Sequence, residues 1–387
     1  MKYIFWLSLI LLTQVYILYP ITLRLLSLLL KNSENSKNNH PADVRQRVNS
    51  EQASENSGSD KVSIIISAHN EEEIIEQKIL NTLALDYPKD KMEIWIGDDG
   101  STDKTAEIVQ KFGEVHLFKK EKNEGKAAML NDLCKMAKGD FFLFSDANTM
   151  IEKNALKNLI SGFTNSSIGC VCGQLALKDE SDSALSKMES LYWSGESKLK
   201  MLESRFGAMM GSNGALYAIR TELYPVLPTH KTIMDDFYIT AKILMKNYSC
   251  IFCENALAYE NTSVSKYGEF NRKVRIGRAN FNFLSAFSPL LNPLHPMKAY
   301  MFLSHKLLRW LSPFLLLALF TSSILLIEAH LFYKVFLSLE LLFAIAALLG
   351  VRLCNYFLSM NFALFLGFFK SFFKENGGAW KREERQK

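Results

Sequence analysis

The chain has 387 residues, 48% of them hydrophobic and 27 of them phenylalanine, with a formal net charge of +5. That length holds one large domain plus an accessory region. The mild charge and the lack of a basic, aromatic patch exclude nucleic acid as the expected partner, and apolar ends around a soluble α/β-like middle read as a membrane protein with basic cytoplasmic flanks.

Residues 1–30, MKYIFWLSLILLTQVYILYPITLRLLSLLL, carry no charge from Tyr3 to Leu23. The run is long enough to cross a bilayer, too long for a signal peptide, and no small-residue cleavage site follows, so it reads as a transmembrane anchor. Arg24, Lys31, Lys37, Arg45 and Arg47 come after it, which puts that flank in the cytoplasm. Residues 31–60 are rich in Asn, Ser and Glu and nearly free of apolar side chains. Such a segment cannot build a core and reads as a flexible linker.

Residues 61–265 change character. VSIIIS, EIWIGD (93–98), EVHLF and DFFLFS have strand composition, and helical spacing fills EEEIIEQKILNTLA, TDKTAEIVQKF and GKAAMLNDLCKMAKG between them. Strands alternating with helices predict an α/β domain with a mainly parallel sheet. GCVCGQLAL and GALYAI add strands; residues 182–204 and DDFYITAKILMKN add helices. Cys170-Val-Cys172 and Cys250-Ile-Phe-Cys253 superficially suggest a four-thiolate zinc site. Both pairs lie in apolar, strand-like runs without the turn residues a zinc knuckle needs, so buried free thiols are the preferred reading.

Residues 266–310 are read as basic interfacial helices, since 266–286 is basic and aromatic with helical spacing. Residues 311–350 read as a transmembrane hairpin (311–327 and 331–350). Within 351–387, a crossing by 355–373 would strand Lys374, Lys381, Arg382, Arg385 and Lys387 outside. A re-entrant or interfacial segment with a basic cytoplasmic tail is therefore expected.

In open α/β sheets, ligands bind outside the carboxyl ends of the strands. Three strands here end in polar clusters: Ala68-His69-Asn70-Glu71, Asp98-Asp99-Gly100-Ser101, and Asp146-Ala147-Asn148. Each alone is explained by a turn or helix cap. Together on one sheet edge they would surround one crevice. No G-x-G-x-x-G follows the first strand and no G-x-x-x-x-G-K-[ST] occurs, which excludes a dinucleotide fingerprint and a P-loop. An acidic edge suits Mg²⁺ or Mn²⁺ bridging to a diphosphate.

SAHNEEEII, IGDDGSTD, NEGKAAMLN, FSDANT, MDDF and RKVRIGR, in this order, resemble glycosyltransferase family 2 over roughly residues 61–285. The resemblance implies a GT-A catalytic domain, with a Rossmann-like mixed, mainly parallel sheet, flanked by membrane helices. It implies that Ala68, His69, Asn70 and Glu71 line the nucleotide pocket, that Asp99 with Asp98 holds the base or ribose, and that Lys126 faces the nucleotide. Asp146 becomes a metal ligand; Asn148 stands where the family's second acid would be, a ligand without charge. Asp236, beside Asp235, takes the role of catalytic base. Arg275 meets the diphosphate, and Arg278 adds a second guanidinium one turn on. Gly211, Asn213 and Gly214 belong to the loop beside sugar and acceptor, and Trp380 to the acceptor entrance. In Arg272-Lys273-Val274-Arg275-Ile276, Arg replaces the family's Gln and Ile its Trp, which favours addition of a single sugar.

The implied function is inverting, metal-dependent transfer from a nucleotide-diphospho-sugar, foremost a UDP-sugar, to a lipid-linked or glycan acceptor in cell-surface polysaccharide synthesis. The implied place is the bacterial inner membrane, multi-pass, with the catalytic domain cytoplasmic. A processive polysaccharide synthase, or an inactive nucleotide-sensing or scaffold subunit of an export complex, are the alternatives.

Overall fold

The computed structural model describes residues 1–35, 60–178, 184–261 and 266–373. Residues 36–59 of the linker segment and the tail beyond Phe373, Trp380 included, lie outside the described residues.

One eight-stranded sheet organises the middle of the chain, in the order β3-β2-β1-β4-β7-β6-β8-β5. β1 (Val62–Ala68) is buried at every position, as a central parallel strand covered on both faces must be. It pairs in parallel with β2 (Met92–Asp98) and β4 (Phe141–Phe144), and β3 (Val115–Lys119) extends the parallel half. The two-residue alternation of β1 divides the core. Ile64 and Ile66 meet Ile75 and Ile79 of α3 (Ile75–Leu83) on one face. Ile65 meets Met129 and Leu133 of α5 (Lys126–Met136) on the other. A short α4 (Thr105–Val109) leads from β2 to β3.

The second half of the sheet turns back. β7 (Tyr217–Arg220) runs antiparallel to β4, with Phe144 opposite Tyr217, and also antiparallel to β6 (Ile168–Lys178). This reversal matters for the site. The loop entering β7 must lie beside the carboxyl end of β4, where Asp146 follows the strand. α7 (Ala184–Ser204) and α8 (Asp235–Met245) complete this half.

Three elements were not expected from the sequence: β5 (Met150–Ile151), α6 (Ala155–Ser161) and the full length of β8 (Ser249–Asn261). β8 pairs in parallel with β6, but its register jumps from Cys253 opposite Gly173 to Leu257 opposite Gln174. The bulge at Glu254-Asn255-Ala256 breaks the alternation that marks a strand. All six cysteines are free thiols, and the four on β6 and β8 are buried.

Four described helical runs are long and apolar enough to cross a membrane: Lys2–Leu30, Pro296–Leu325, Leu331–Leu348 and Arg352–Ser371. In the first, α1 (Lys2–Thr13) passes through a π-helical turn (Gln14–Leu18) into α2 (Tyr19–Asn35). Its first part packs on the later apolar helices through Phe5 and Leu12, while Tyr19 and Leu23 are built into the core of the sheet domain. In the second, α10 (Pro296–Met301) and a π-helical turn (Phe302–Leu307) precede α11 (Leu308–Leu325). The helix thus starts well before Leu311. Ser304, His305, Lys306 and Arg309 interrupt its hydropathy, yet Ser304 and His305 are buried.

α12 (Leu331–Leu348) closes the hairpin, and α13 (Arg352–Ser371) is one unbroken helix. α13 lies along α9 (Lys266–Asn282), the basic helix. A Cβ on Gly367 would sit 2.7 Å from the Arg278 backbone nitrogen, so the two helices meet backbone to backbone.

Candidate active site

The carboxyl ends of β1 and β2 are stitched together. The Asn70 amide donates to Ser101 Oγ (2.9 Å), the Thr102 amide donates to Asn70 Oδ1 (2.8 Å), and the Glu71 amide donates to Thr105 Oγ1 (2.8 Å). His69 Nδ1 lies 3.0 Å from the Asp99 carbonyl. The Asp99 carboxylate accepts from the amides of Glu124 (3.0 Å) and Gly125 (2.7 Å). Gly125 has φ +94°, a conformation that favours glycine, and it starts α5 with Lys126 as the first helical residue. Asp99 therefore fixes where Lys126 emerges. Asp98 is fully buried, and among the described residues its Oδ2 has no hydrogen-bond partner. Its Oδ1 accepts from the Ser101 amide (3.2 Å), so Asp98 shapes the turn that follows β2.

Beside this edge opens a cavity of about 1150 Å³. Glu71, Lys126, Asp146, Asn148, Asp235, Asp236 and Arg275 all face it; Ala68, His69, Asn70, Asp98, Asp99 and Arg278 do not. Arg278 instead donates to the Phe373 carbonyl at the end of α13 (2.8 Å).

Charge converges at one point. Lys126 Nζ lies 2.7 Å from Asp146 Oδ1 and 3.1 Å from Asp235 Oδ2. Burial opposes the Lys126 charge, but Asp146 and Asp235 outweigh it and hold the amine well above the ordinary lysine range. Gly214 lies over this cluster. A Cβ there would be 3.4 Å from Asp146 Oδ2, 3.8 Å from Asp236 Oδ2 and 3.9 Å from Lys126 Nζ. The missing side chain leaves an open cradle between the two carboxylates.

The loop carrying Gly214 is tied on both sides. Ser212 Oγ donates to the Asp236 carbonyl (3.1 Å), and Asn213 Nδ2 donates to the Gly173 carbonyl (2.9 Å) while its Oδ1 accepts from the Leu216 amide (3.0 Å). Asn213 thus holds the loop in shape.

Asp235 and Asp236 form the first turn of α8, where the helix dipole favours acids. Burial, then the neighbouring Asp235 charge, pushes the Asp236 carboxyl up to about 6. Arg272 and Lys273 are both held by buried Glu269, at 2.7 and 3.5 Å. Arg275 reaches the cavity one turn along the helix.

Lys78 was missed in the sequence, although it stands three residues from Ile75 and next to Ile79, on the apolar face of α3. It is fully buried, and its Nζ donates to Ser145 Oγ (2.7 Å) and the Thr149 carbonyl (2.6 Å), clamping the loop that carries Asp146 and Asn148. Burial pushes its amine down to about 7, against the pull of Asp146 and Glu260. Between about 7 and the ordinary lysine value, the unfolded chain binds a proton that the folded chain does not. Stability from this site is therefore lowest below pH 7 and rises with pH above it. Lys78→Met should gain on the parent as pH falls from 9.5 to 6.5, followed by thermal unfolding in detergent. Parallel pH curves for the two proteins would contradict this account.

The mixed sheet, with acids gathered at its parallel edge around an open cradle, has the GT-A fold. Residues 63–224 match the profile of Glycosyl transferase family 2. It is 29% identical over 221 residues to the poly-beta-1,6-N-acetyl-D-glucosamine synthase of Staphylococcus epidermidis, covering 55% of this chain and 53% of that one. The synthase of the same name from Staphylococcus aureus is 27% identical over 250 residues, covering 62% and 60%. The chain therefore spans between 53% and 60% of the length of these curated relatives. A solved structure, the mannosyltransferase PcManGT from Pyrobaculum calidifontis in complex with GDP-Man and Mn²⁺, superposes with a TM-score of 0.65 at 21% identity, covering 96% of this chain and 99% of that one. That likeness speaks for the fold.

Proposed function

We propose that this chain is an inverting transferase that moves a sugar from a nucleotide-diphospho-sugar to a lipid-linked or glycan acceptor at the cytoplasmic face of a bacterial inner membrane. The observation that carries it is the meeting of Asp146, Lys126, Asp235 and Asp236 around Gly214. Asp236 accepts the proton of the acceptor hydroxyl as its oxygen attacks the anomeric carbon; the bond to the nucleoside diphosphate breaks on the opposite face, and the diphosphate leaves with the electron pair. Lys126 and Arg275 balance the charge that develops there.

Among the described residues no three His, Cys, Asp or Glu side chains form a closed metal site. Asp146 at the Gly214 cradle, with Asn148 on the same cavity's wall, does fit a Mg²⁺ or Mn²⁺ ion completed by the diphosphate, since such ions use one or two protein oxygens plus substrate phosphates. When bound, the ion would neutralise the diphosphate.

A polymerising reading draws support from the relatives, which are named as synthases of a polysaccharide. Against it stands Ile276, facing the cavity where the resemblance expects Trp. Product length separates the two.

The first test is a donor panel of UDP- and GDP-sugars, given to the detergent-solubilised full chain with Mn²⁺, Mg²⁺ or EDTA. Metal-dependent release of nucleoside diphosphate is expected. Failure of every donor to bind, with or without metal, would overturn the enzyme reading in favour of a scaffold subunit.

A further inference from the structure

The cavity has a second charged end that the donor chemistry does not use. α7 presents Trp193, Glu196 and Lys200 to it, spaced so that they share one helix face. Lys306 and Arg309, from the membrane helix opposite, share the Glu196 carboxylate at 3.3 and 3.0 Å. Burial works against ionised Glu196, but His305, Lys306 and Arg309 hold its carboxyl well below the usual range. Behind it, Glu203 is committed to His305 Nδ1 (2.6 Å), to Tyr19 and to the Met210 amide (2.9 Å).

Lys200 is left over. It is 4% exposed, yet it faces the cavity. Among the described residues no ion pair or hydrogen bond reaches its ammonium group, and its neighbour is the Trp193 ring, 5.9 Å from the centroid. The Asp236 carboxylate is near enough to act on it electrostatically but does not touch it, and a buried ammonium with no anion in contact is costly unless a ligand supplies one. Two further facts describe that ligand. Lys306 Nζ lies 3.7 Å from where a Cβ on Gly211 would be, so this end adjoins the loop that leads through Gly214 to Asp236. α13 also lines the cavity, with Leu353, Phe357, Met360 and Leu364 beside Tyr356 and Asn361, a largely apolar wall.

We propose that Lys200 is the binding residue for the phosphate of a lipid acceptor. The phosphate sits between Lys200 and the Lys306–Arg309 pair, and the lipid chain runs out along α13. This rests on the transferase reading above and adds the acceptor's chemical class: an amphiphile with an anionic phosphate headgroup, not a neutral glycan.

The test is binding of a fluorescent phosphatidic acid to the full chain in dodecyl maltoside micelles, without any donor. Diacylglycerol of the same chains, inorganic phosphate, and the variants Lys200→Met and Lys200→Arg are the other arms. Phosphatidic acid should bind at least about ten-fold more tightly than diacylglycerol, the scale of one charge-assisted contact. Lys200→Met should lose that preference and Lys200→Arg should keep it, with nucleotide-sugar binding unchanged in both. Equal binding of the two lipids, or an unaltered preference in Lys200→Met, would overturn the proposal. Inorganic phosphate competing as well as the lipid would reduce the site to a free-phosphate site and overturn the lipid assignment. Loss of donor binding in Lys200→Met would assign the lysine to the donor instead. Because no donor enters the lipid arms, their failure is separable from failure of the transferase reading.

Discussion

Asp236→Asn is expected to lower the transfer rate by roughly 10²–10⁴-fold while nucleotide-sugar binding stays within about two-fold of the parent. The carboxyl lies at the start of a rigid helix, faces the cavity, and is close to the donor cradle; among the described residues no cation pairs with it at contact distance. Asparagine keeps its shape and removes its basicity. Asp235 is different, because Lys126 holds it at 3.1 Å. Its charge raises Asp236, with burial as the larger cause, to about 6. Asp236 must be ionised to take a proton. Transfer should therefore be near full above this value and fall as pH drops through it. Asp235→Asn removes the repulsion, so the acid limb should move to lower pH. A kcat/KM profile measured between pH 4.5 and 8 reads both effects. A flat profile in the parent, or an active Asp236→Asn, would remove Asp236 as the base.

How much of this was legible beforehand follows from what each signal depends on. β1, β2 and β4 are buried parallel strands, so their apolar runs were plain, and each ended in a polar cluster that the sheet brings to one edge. Residue type could not tell which member of a cluster faces a ligand. Asp99 and Asp146 look alike in sequence, yet Asp99 binds the backbone of the Lys126 loop and Asp146 faces the cavity. Arg275 and Arg278 differ by less than one turn, and that difference sends one to the cavity and the other to the Phe373 carbonyl. β8 was obscured by its bulge. The start of the Pro296–Leu325 helix was obscured by buried polar residues whose partners, Glu196 and Glu203, lie about a hundred positions earlier in the chain. Long-range pairing leaves no periodicity to read. Lys78 was the readable omission, since a lysine on an apolar helix face calls for a buried acceptor.

Asp146→Ala should cost at least about 100-fold in transfer and erase the difference between Mn²⁺ and EDTA in donor binding, because a metal at a diphosphate contributes several kcal/mol of charge stabilisation. The variant has a second consequence that a simple ligand loss would not predict. Lys126 loses its 2.7 Å partner and retains only Asp235, at 3.1 Å. The freed ammonium is then available to the diphosphate, so metal-independent binding of the nucleoside diphosphate should survive and can exceed that of the parent in EDTA. Gly214→Ala separates the two effects. Its methyl group would stand 3.4 Å from Asp146 Oδ2 and 3.8 Å from Asp236 Oδ2, filling the cradle at ordinary contact distance while every charge stays in place. If the cradle holds the ion and the reacting sugar, Gly214→Ala should weaken the metal-dependent part of binding and slow transfer without raising binding in EDTA. Isothermal titration of each variant with nucleoside diphosphate, in Mn²⁺ and in EDTA, distinguishes them. Metal-independent binding equal in all three proteins, with transfer intact in Gly214→Ala, would mean that the opening between Asp146 and Asp236 is not where the donor's phosphates and sugar meet.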